Sequence, residues 1–444
     1  MLLTGVAVAG VTGNVRAAVD ASIKAAETAV TLAIGLIGVM SLWLGVMRLA
    51  EKSGLVATLA RGLRPIMTRL FPEVPADHPA MASMMLNIAA NMLGLTNAAT
   101  PFGLRAMRDL ETLNPHPGTA TNAMCTFLAI NTGSVQLIPA SAIALLAAAG
   151  SSNPTAIVGA TLVATCFSSA AGLIVVKALQ GWRVFRVPSP SDARTVSARS
   201  QSEAKTTGVD VEGDKTAPTP ATPPPLTPWR RGLLGLVLLG FAVLIGVTAF
   251  PHWVGRSQDA SMMGRPDWVL VLDAVSLLAI PFLLAFFPLY AALRRVPVYE
   301  EFVEGAKEGF QVAVRIIPYL VGMLVAIGLL RGSGTMEWLT GILRSPLEWV
   351  GFPPELVPIS LIRPLSGSAS LAAFSDVVKT FGPDHLLART AGTLFGSTET
   401  TFYVVAVYFG AVAVRRVRHA VWAGLAADIT GCVAAVVVCR MMFG

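Results

Sequence analysis

The chain has 444 residues, of which 54% are hydrophobic and only 13% are charged. Soluble domains carry about 25% charged residues, so this composition, with a mean hydropathy of +0.65, indicates that the solvent is a lipid bilayer. The formal net charge of +7 does not point to nucleic acid as a partner, because Lys and Arg gather in the cytoplasmic loops of membrane proteins.

Six apolar segments are long enough to cross roughly 30 Å of hydrocarbon. The predicted spans are 28–49, 155–180, 232–250, 268–293, 311–330 and 420–442. Between them lie shorter apolar pieces interrupted by Pro, Gly and Asn, at 80–95, 98–112, 119–131, 134–149, 353–364, 366–381, 385–395 and 399–414. Such lengths are typical of broken or re-entrant helices. Irregular backbone inside a bilayer needs cover from protein or from a watery cavity, so we expect the long helices to surround these pieces.

Segment 184–228 is rich in Pro, Ser, Thr, Ala and charges. Because it cannot bury enough apolar surface to offset its ordering entropy, it is predicted to be a disordered linker between domains 1–183 and 229–444. Basic residues flank it and recur at Arg294 and Arg295. This distribution predicts that the linker lies on the cytoplasmic side of the cell inner membrane. The amphipathic segment 296–310 is predicted to lie along the membrane interface.

The two halves of the chain share short sequence anchors. Pro72 corresponds to Pro353, and Gly133 corresponds to Gly396, 263 positions later; the order of the long and short elements between them is also the same. Internal repeats with broken apolar segments at matching places are typical of transporter binding sites. The alternative is a duplicated membrane scaffold in which the breaks serve only tight packing.

Polar residues mark the first break of the first half. Asn87 and Asn91 lie four positions apart, on one helical face, and Gly94 ends that helix. Asn97 and Thr100 are predicted to cap the next helix. A helix N-terminus presents free N–H groups and partial positive charge that favour an anionic or carbonyl group of a ligand. The alternative is a capped helix pair with no ligand.

Charged residues mark the breaks of the second half. Arg363 lies among apolar residues, where an arginine needs a partner. Glu399 also has apolar surroundings, and its counterpart in the first half is the neutral Gln136. We hypothesise that Arg363 and Glu399 face a common cavity; the alternative is a structural ion pair that holds two re-entrant loops together. Asp384 is predicted to cap the helix that follows it. The candidate solute-binding residues are Asn87, Asn91, Asn97, Thr100, Asn131, Ser134, Gln136, Arg363, Ser366, Ser368, Ser397, Thr398 and Glu399.

Motifs for catalysis and for cofactor binding are not found. The sequence contains no P-loop, HExxH, GxSxG or dinucleotide-binding pattern in its proper context. The four cysteines and five histidines show no metal-ligand spacing. We therefore expect no cofactor, no metal and no enzyme activity, and any transport would be facilitated or driven by gradients or partner proteins.

Several of these segments resemble known families. NIAANMLGLTNAATPFGLRAM (87–107) and TNAMCTFLAINTGSVQLIP (121–139) resemble spore maturation protein A. RPLSGSASL (363–371) and GSTETTFYVVAVYFGAV (396–412) resemble spore maturation protein B. The resemblance implies a fusion of the two, in the Gate or nucleoside recognition family, whose segments are similar to parts of concentrative nucleoside and ferrous iron transporters. It implies that the polar breaks line a solute site.

The expected fold is therefore an all-α polytopic membrane protein with two homologous Gate-type modules, each built from long spanning helices and broken re-entrant helices. The expected function is movement of a small polar solute, nucleoside-like or an ion, across the inner membrane. The alternative is a non-transporting membrane scaffold for sporulation or envelope maturation. The partners that fit this interpretation are the lipid bilayer, a small polar solute and further copies of the chain.

Overall fold

A computed structural model describes residues 2–185, 226–254, 266–335 and 351–444, with the single positions 338, 341 and 347, but not the side chains of residues 96–98 and 319. Most of the predicted linker 184–228 therefore lies outside the described residues. The helices are α1 (Leu2–Thr12), α2 (Val15–Lys52), α3 (Leu55–Leu70), α4 (Pro79–Met92), α5 (Thr96–Glu111), α6 (Asn122–Thr132), α7 (Ala140–Ala148), α8 (Ile157–Leu179), α9 (Pro228–Ala249), α10 (Asp267–Leu293), α11 (Val298–Gly332), α12 (Val357–Ile362), α13 (Gly367–Phe381), α14 (Leu386–Ser397), α15 (Thr401–Gly410) and α16 (Ala420–Phe443).

Among the described residues, six helices are long and apolar enough to cross a membrane: α2, α8, α9, α10, α11 and α16. Four of them contain a predicted span, and α8 and α9 match theirs to within two residues at the shortened ends, so the all-α polytopic fold is confirmed. α2 begins at Val15 rather than near residue 28. Its first turns carry charges, including Arg16 and Asp20, so hydropathy alone does not predict that the helix begins there. At 1.5 Å per residue, the 38 residues of α2 are about 57 Å long, so α2 extends well beyond the hydrocarbon.

Segment 296–310 does not form a separate helix along the interface, because it forms the first turns of α11. Gly305 lies directly against the backbone of Leu44 in α2, where a Cβ atom would not fit. On the same face, Arg48 of α2 forms an ion pair with Glu301 at 2.8 Å and contacts Glu308. The amphipathic pattern therefore reflects packing against α2.

The short apolar pieces form the interior, as predicted. Nearly every residue of α6 is buried, and the side chains of Phe127 and Leu128 are fully so. The short helices of the interior, separated by the polar breaks, are α4 to α7 in the first module and α12 to α15 in the second.

Matching hydrogen bonds close the breaks in the two modules. In the first module, the Leu137 N–H donates to the Met92 carbonyl at 3.0 Å; in the second, the Phe402 N–H donates to the Pro364 carbonyl at 3.0 Å. Each bond joins a residue within or just after the second break to the end of the first broken helix. These bonds satisfy backbone groups that a continuous helix would pair internally, a requirement at membrane depth.

The two modules run in opposite directions. Equivalent helices α2 and α11 are antiparallel, since Gly305 lies against Leu44 whereas Gly332 lies against Ala17. Antiparallel packing of equivalent helices requires a pseudo-two-fold axis perpendicular to their length. For spanning helices, that axis lies in the membrane plane.

The last long helices of the modules, α8 and α16, follow the same rule. Gly431 of α16 lies against Ser168 of α8, whereas Gly172, one turn further along α8, lies against Ala427 and Ala423, which come earlier in α16. These two helices are therefore antiparallel as well. Two independent helix pairs thus indicate an inverted-topology repeat, an architecture of many secondary transporters.

Two predictions about helix caps are wrong. α5 begins at Thr96, so Thr100 lies beyond the first turn and cannot act as its N-cap; the side chain of Asn97 lies outside the described residues. His385, not Asp384, caps α14 by accepting a hydrogen bond from the Leu387 N–H at 3.2 Å. The Asp384 carboxylate instead binds Ser151 and Ser152 in the first module, a long-range contact that outcompetes the local cap.

The candidate solute-binding site between the modules

A cavity of about 240 Å³ lies where the broken helices of the two modules meet. Six of the predicted site residues line it: Asn91, Thr100, Asn131, Gln136, Arg363 and Glu399. The second module also contributes Phe395, Thr400, Tyr403, Val404 and Tyr408. The lining is therefore mixed, with amides from the first module and charged and aromatic groups from the second.

The pseudo-two-fold axis passes through this cavity. Gln136 Nε2 lies 3.4 Å from Glu399 Oε1, and these two residues are 263 positions apart, the spacing that separates Gly133 from Gly396. A residue that contacts its own repeat-mate must lie beside the symmetry axis. Ser168 and Gly431, also 263 positions apart, contact each other as well. The cavity thus occupies the interface at which inverted-repeat transporters bind their substrates.

Arg363 and Glu399 face this common cavity, as hypothesised. Their closest nitrogen and oxygen atoms are 3.8 Å apart, longer than the roughly 2.7–2.9 Å of a strong charge-assisted hydrogen bond. The Arg363 side chain is buried, donates to the Thr398 carbonyl and stacks over the Phe395 ring at 4.5 Å. The guanidinium therefore has partners other than Glu399, and its ion pair with Glu399 is a long one.

Two of the asparagines line the cavity and are joined by hydrogen bonds, and a third lies outside it. Asn91 Nδ2 donates to Asn131 Oδ1 at 3.0 Å, and Asn131 Nδ2 donates to the Phe127 carbonyl at 2.9 Å. Asn87 is fully buried outside the cavity and donates to the Tyr408 hydroxyl at 3.2 Å. Asn87 is thus a positioning residue for Tyr408, whereas Asn91 and Asn131 line the cavity themselves.

Five further predicted residues have described side chains and do not line this cavity: Ser134, Ser366, Ser368, Ser397 and Thr398. Ser366 caps α13 by accepting from the Ala369 N–H at 3.3 Å, and Ser397 donates to the Leu394 carbonyl at 3.1 Å. Thr398 contributes its carbonyl to Arg363. Ser134 is buried and, like these residues, stays a prediction as a ligand contact.

Ser368 lines a second cavity, of about 350 Å³. This cavity shares lining residues with the first, namely Gly94, Ala140, Ser141, Gly367 and Phe395. It extends along α2 past Trp43 to Arg48, Glu51 and Glu308. The two cavities are therefore adjacent, and together they extend from the module interface toward the C-terminal end of α2.

Basic residues join the helix ends on this side of the protein. Lys177, near the end of α8, donates to the carbonyl of Leu70 at the end of α3, at 2.9 Å. Arg418, just before α16, donates to Asn122 at the start of α6, also at 2.9 Å. Arg230, at the start of α9, donates to a carbonyl at the end of α10. The second cavity therefore opens at the more basic end of the bundle.

The opposite end holds a link between the modules at Asp384. This carboxylate accepts hydrogen bonds from the hydroxyls of Ser151, at 2.7 Å, and Ser152, at 2.8 Å. Desolvation alone would raise the pKa of Asp384, but these hydrogen bonds and the nearby Arg389 guanidinium together lower it to about 2. The ionised carboxylate thus ties the second module to the first.

Sequence reasoning missed Asp428, in the middle of α16. It is 3% exposed, and its Oδ2 accepts a hydrogen bond from the Thr401 hydroxyl at 2.6 Å. The signal was present, because a carboxyl group inside an apolar span is rare and usually functional. That criterion had identified Glu399, but the length of the apolar segment around Asp428 caused the residue to be read only as part of a span.

Comparison with known families agrees with this architecture. The model of the Gate family, described as nucleoside recognition, matches the chain twice, at residues 33–182 and 313–415. The chain belongs to the Gate family. The two matches correspond to the two modules of this Gate protein, and the hairpin of α9 and α10 lies between them.

Two relatives each match about two fifths of this Gate protein. Spore maturation protein B of Bacillus subtilis (strain 168) is 44% identical over 174 residues, which make up 39% of this chain and 98% of the relative. Spore maturation protein A of the same strain is 41% identical over 175 residues, 39% of this chain and 89% of the relative. The resemblance to both proteins is confirmed. No solved structure matches the chain.

Proposed function

We propose that this Gate protein moves a small polar solute, nucleoside-like or an ion, across the cell inner membrane through the cavity between its modules. The observation that carries the proposal is the position of a polar cavity on the pseudo-two-fold axis of an inverted repeat, among broken helices. In transporters with inverted repeats, one module rocks against the other around a fixed site of this kind. No step requires a catalytic group or a cofactor.

The lining favours a nucleoside-like solute. Amides of Asn91 and Gln136 offer both donors and acceptors, while Tyr403 and Tyr408 offer ring surfaces with polar ends. Such aromatic groups pack against flat rings. The volume of about 240 Å³ is below the ~300–1,000 Å³ of drug-sized pockets, which favours a single small solute.

The membrane orientation follows from the basic end of the bundle. Arg and Lys mark the cytoplasmic ends of spanning helices, so the end that contains Lys177, Arg230 and Arg418 is proposed to be cytoplasmic. The linker joins α8 to α9 at this same end. The second cavity then forms the cytoplasmic access route, with Arg48 and its acidic partners at its mouth.

Uptake by the reconstituted protein tests the proposal. Proteoliposomes containing the full chain would be offered labelled uridine, adenosine, a divalent metal ion and an amino acid. We expect uptake of at least one probe, reduced at least about tenfold by Glu399→Gln and by Arg363→Ala, equivalent to about 1.4 kcal/mol of lost binding or transition-state stabilisation.

Matched variants outside the cavity serve as controls. Glu355→Gln and Arg389→Ala remove the same groups from positions that do not line it, and uptake should stay near the wild-type rate. Equal uptake by all four inserted variants would contradict a role for the cavity. Absence of uptake of every probe by the wild-type protein would contradict the proposed substrate classes.

A membrane scaffold for sporulation or envelope maturation is the second candidate. It is favoured by α9, of whose span only 11% is buried inside the bundle and which lies outside both Gate matches. Its exposed apolar side chains, such as Leu236 and Leu239, could face lipid, a partner helix or another copy of this chain. Cross-linking through α9 in native membranes, together with no uptake of any probe, would favour the scaffold.

A further inference from the structure

The carboxyl group of Asp428 has one oxygen without a partner. Oδ2 accepts the hydrogen bond from Thr401, but Oδ1 is buried and has no hydrogen-bond donor within the described part of the chain. A buried carboxylate oxygen without a donor carries a large desolvation cost. Protonation removes most of that cost, because the neutral acid is far cheaper to bury than the anion.

The charges around Asp428 do not balance when every group is ionised. The charged groups that interact with it are Arg363 and Glu399, and Cys432 is the titratable neighbour on its own helix. The other elements packed against this part of α16 present uncharged groups at Thr132, Thr398, Thr401 and Ser168. Two carboxyl groups therefore share one guanidinium, and the cluster has one negative charge too many for a site inside a membrane.

We propose that Asp428 is a proton-binding site, with an exchangeable proton on Oδ1 that is released when Arg363 turns from Glu399 toward Asp428. As a coupling device this inference rests on the proposed function. On release, the O–H bond at Oδ1 breaks, its electron pair stays on the carboxylate, and the proton passes to a water molecule. The new carboxylate then competes for Arg363 and frees Glu399 to bind a cation or a donor group of the solute.

A proton fits this position better than a metal ion. Among the described residues, no group of three or more His, Cys, Asp or Glu side chains could hold a metal. A proton needs only one lone pair, which Oδ1 provides. The loose contact of 3.8 Å between Arg363 and Glu399 leaves the guanidinium able to change partners.

Infrared difference spectroscopy of the full chain in lipid nanodiscs tests this inference without any transport assay. We expect the C=O stretching band of a protonated carboxyl group to titrate with pH in the wild-type protein and to disappear in Asp428→Asn. Asp376→Asn is the matched control, since Asp376 forms an ion pair with Arg331 at 2.6 Å away from this site, and it should keep the band.

Variants of the neighbours give shifts of opposite sign. Glu399→Gln removes a negative neighbour, so ionisation becomes easier and the band should titrate at lower pH. Arg363→Met removes the positive neighbour and should move the midpoint of the band's titration to higher pH. For both variants we expect a shift of about one pH unit, which is a tenfold change in proton affinity. Thr401→Val removes the donor to Oδ2 and should also raise the midpoint, which keeps the test available if an Arg363 variant does not fold.

Three results would overturn the inference: a band that survives in Asp428→Asn, a midpoint that none of the neighbouring variants moves, or a band that responds to Na⁺ at constant pH, which would assign the site to sodium. The titration and the uptake assay test different proposals, so a negative result in one does not decide the other. An intact titration without uptake contradicts only the proposed function, whereas uptake without the titration contradicts only the proton site.

Discussion

The two modules share a backbone but differ in chemistry at their breaks. In both, a backbone N–H within or just after the second break, that of Leu137 or of Phe402, donates a hydrogen bond to the end of the first broken helix. The first module supplies amides, such as Gln136, whereas the second supplies the charges of Arg363 and Glu399. Under the proposed function, this difference would let an inverted repeat keep a symmetric scaffold with two opposite states and still bind an asymmetric solute.

Transferring the carboxyl group from the second module to the first is the change from which we expect the largest effect on stability. Glu399→Gln removes the carboxylate that forms the ion pair with the buried Arg363 and leaves Asp428 as the second carboxyl group near it; we expect a loss of about 3 kcal/mol in the free energy of unfolding. Adding Gln136→Glu in the same chain restores a carboxyl group next to the old position, and should recover more than half of that loss. Unfolding in bicelles at pH 7 measures both; failure of the second substitution to recover stability would show that the two positions are not equivalent.

The glycines at matching breaks of the two modules differ in whether they can accept a side chain. Gly94 has a φ of +73°, and a Cβ atom there would lie 2.9 Å from the Ile138 carbonyl oxygen. Gly94→Ala should therefore cost about 2 kcal/mol through its left-handed backbone and this contact. Gly367, in the matching break, has space for a Cβ atom, so Gly367→Ala should leave the free energy of unfolding nearly unchanged. Equal costs at the two positions would contradict the described geometry.

The smallest effect is expected at the link between the modules. The depressed pKa of Asp384, about 2, means that its ionised form stabilises the fold above the unfolded value near 3.9, and that this stabilisation fades as pH falls through about 4 to 2. Asp384→Asn should cost about 1 kcal/mol at pH 7, since the group is partly exposed. The variant and the wild type should approach equal stability near pH 2, and a constant difference across this range would exclude the carboxylate as the cause.

The spanning helices could be predicted from the sequence because length and apolarity are local properties. All six spans and the broken pieces between them were recovered in this way, and the repeat spacing correctly paired Gln136 with Glu399. What could not be predicted is which polar side chains turn toward the cavity. Ser366 and Ser397 lie in the breaks, yet they bind nearby backbone groups, because short hydroxyl side chains are well placed to do so.

Long-range partners explain the other errors. Asp384 is an ordinary helix cap by type, but the hydroxyls of Ser151 and Ser152 compete for it, and His385 takes its place. Segment 296–310 has an amphipathic pattern whose partner is α2, far away in the sequence. In both cases the local pattern was read correctly, and the choice between its possible partners depended on tertiary contacts.

Cross-linking of repeat-mates tests the central claim, that the two breaks meet on the symmetry axis, most directly. In a chain whose four native cysteines are replaced by alanine, Gln136→Cys and Glu399→Cys would be treated in membranes with a short bifunctional thiol reagent. We predict efficient bridging of this pair and none between Gln136→Cys and Asp384→Cys. Bridging of the control pair alone, or of neither pair when both cysteines react with single thiol reagents, would contradict the account.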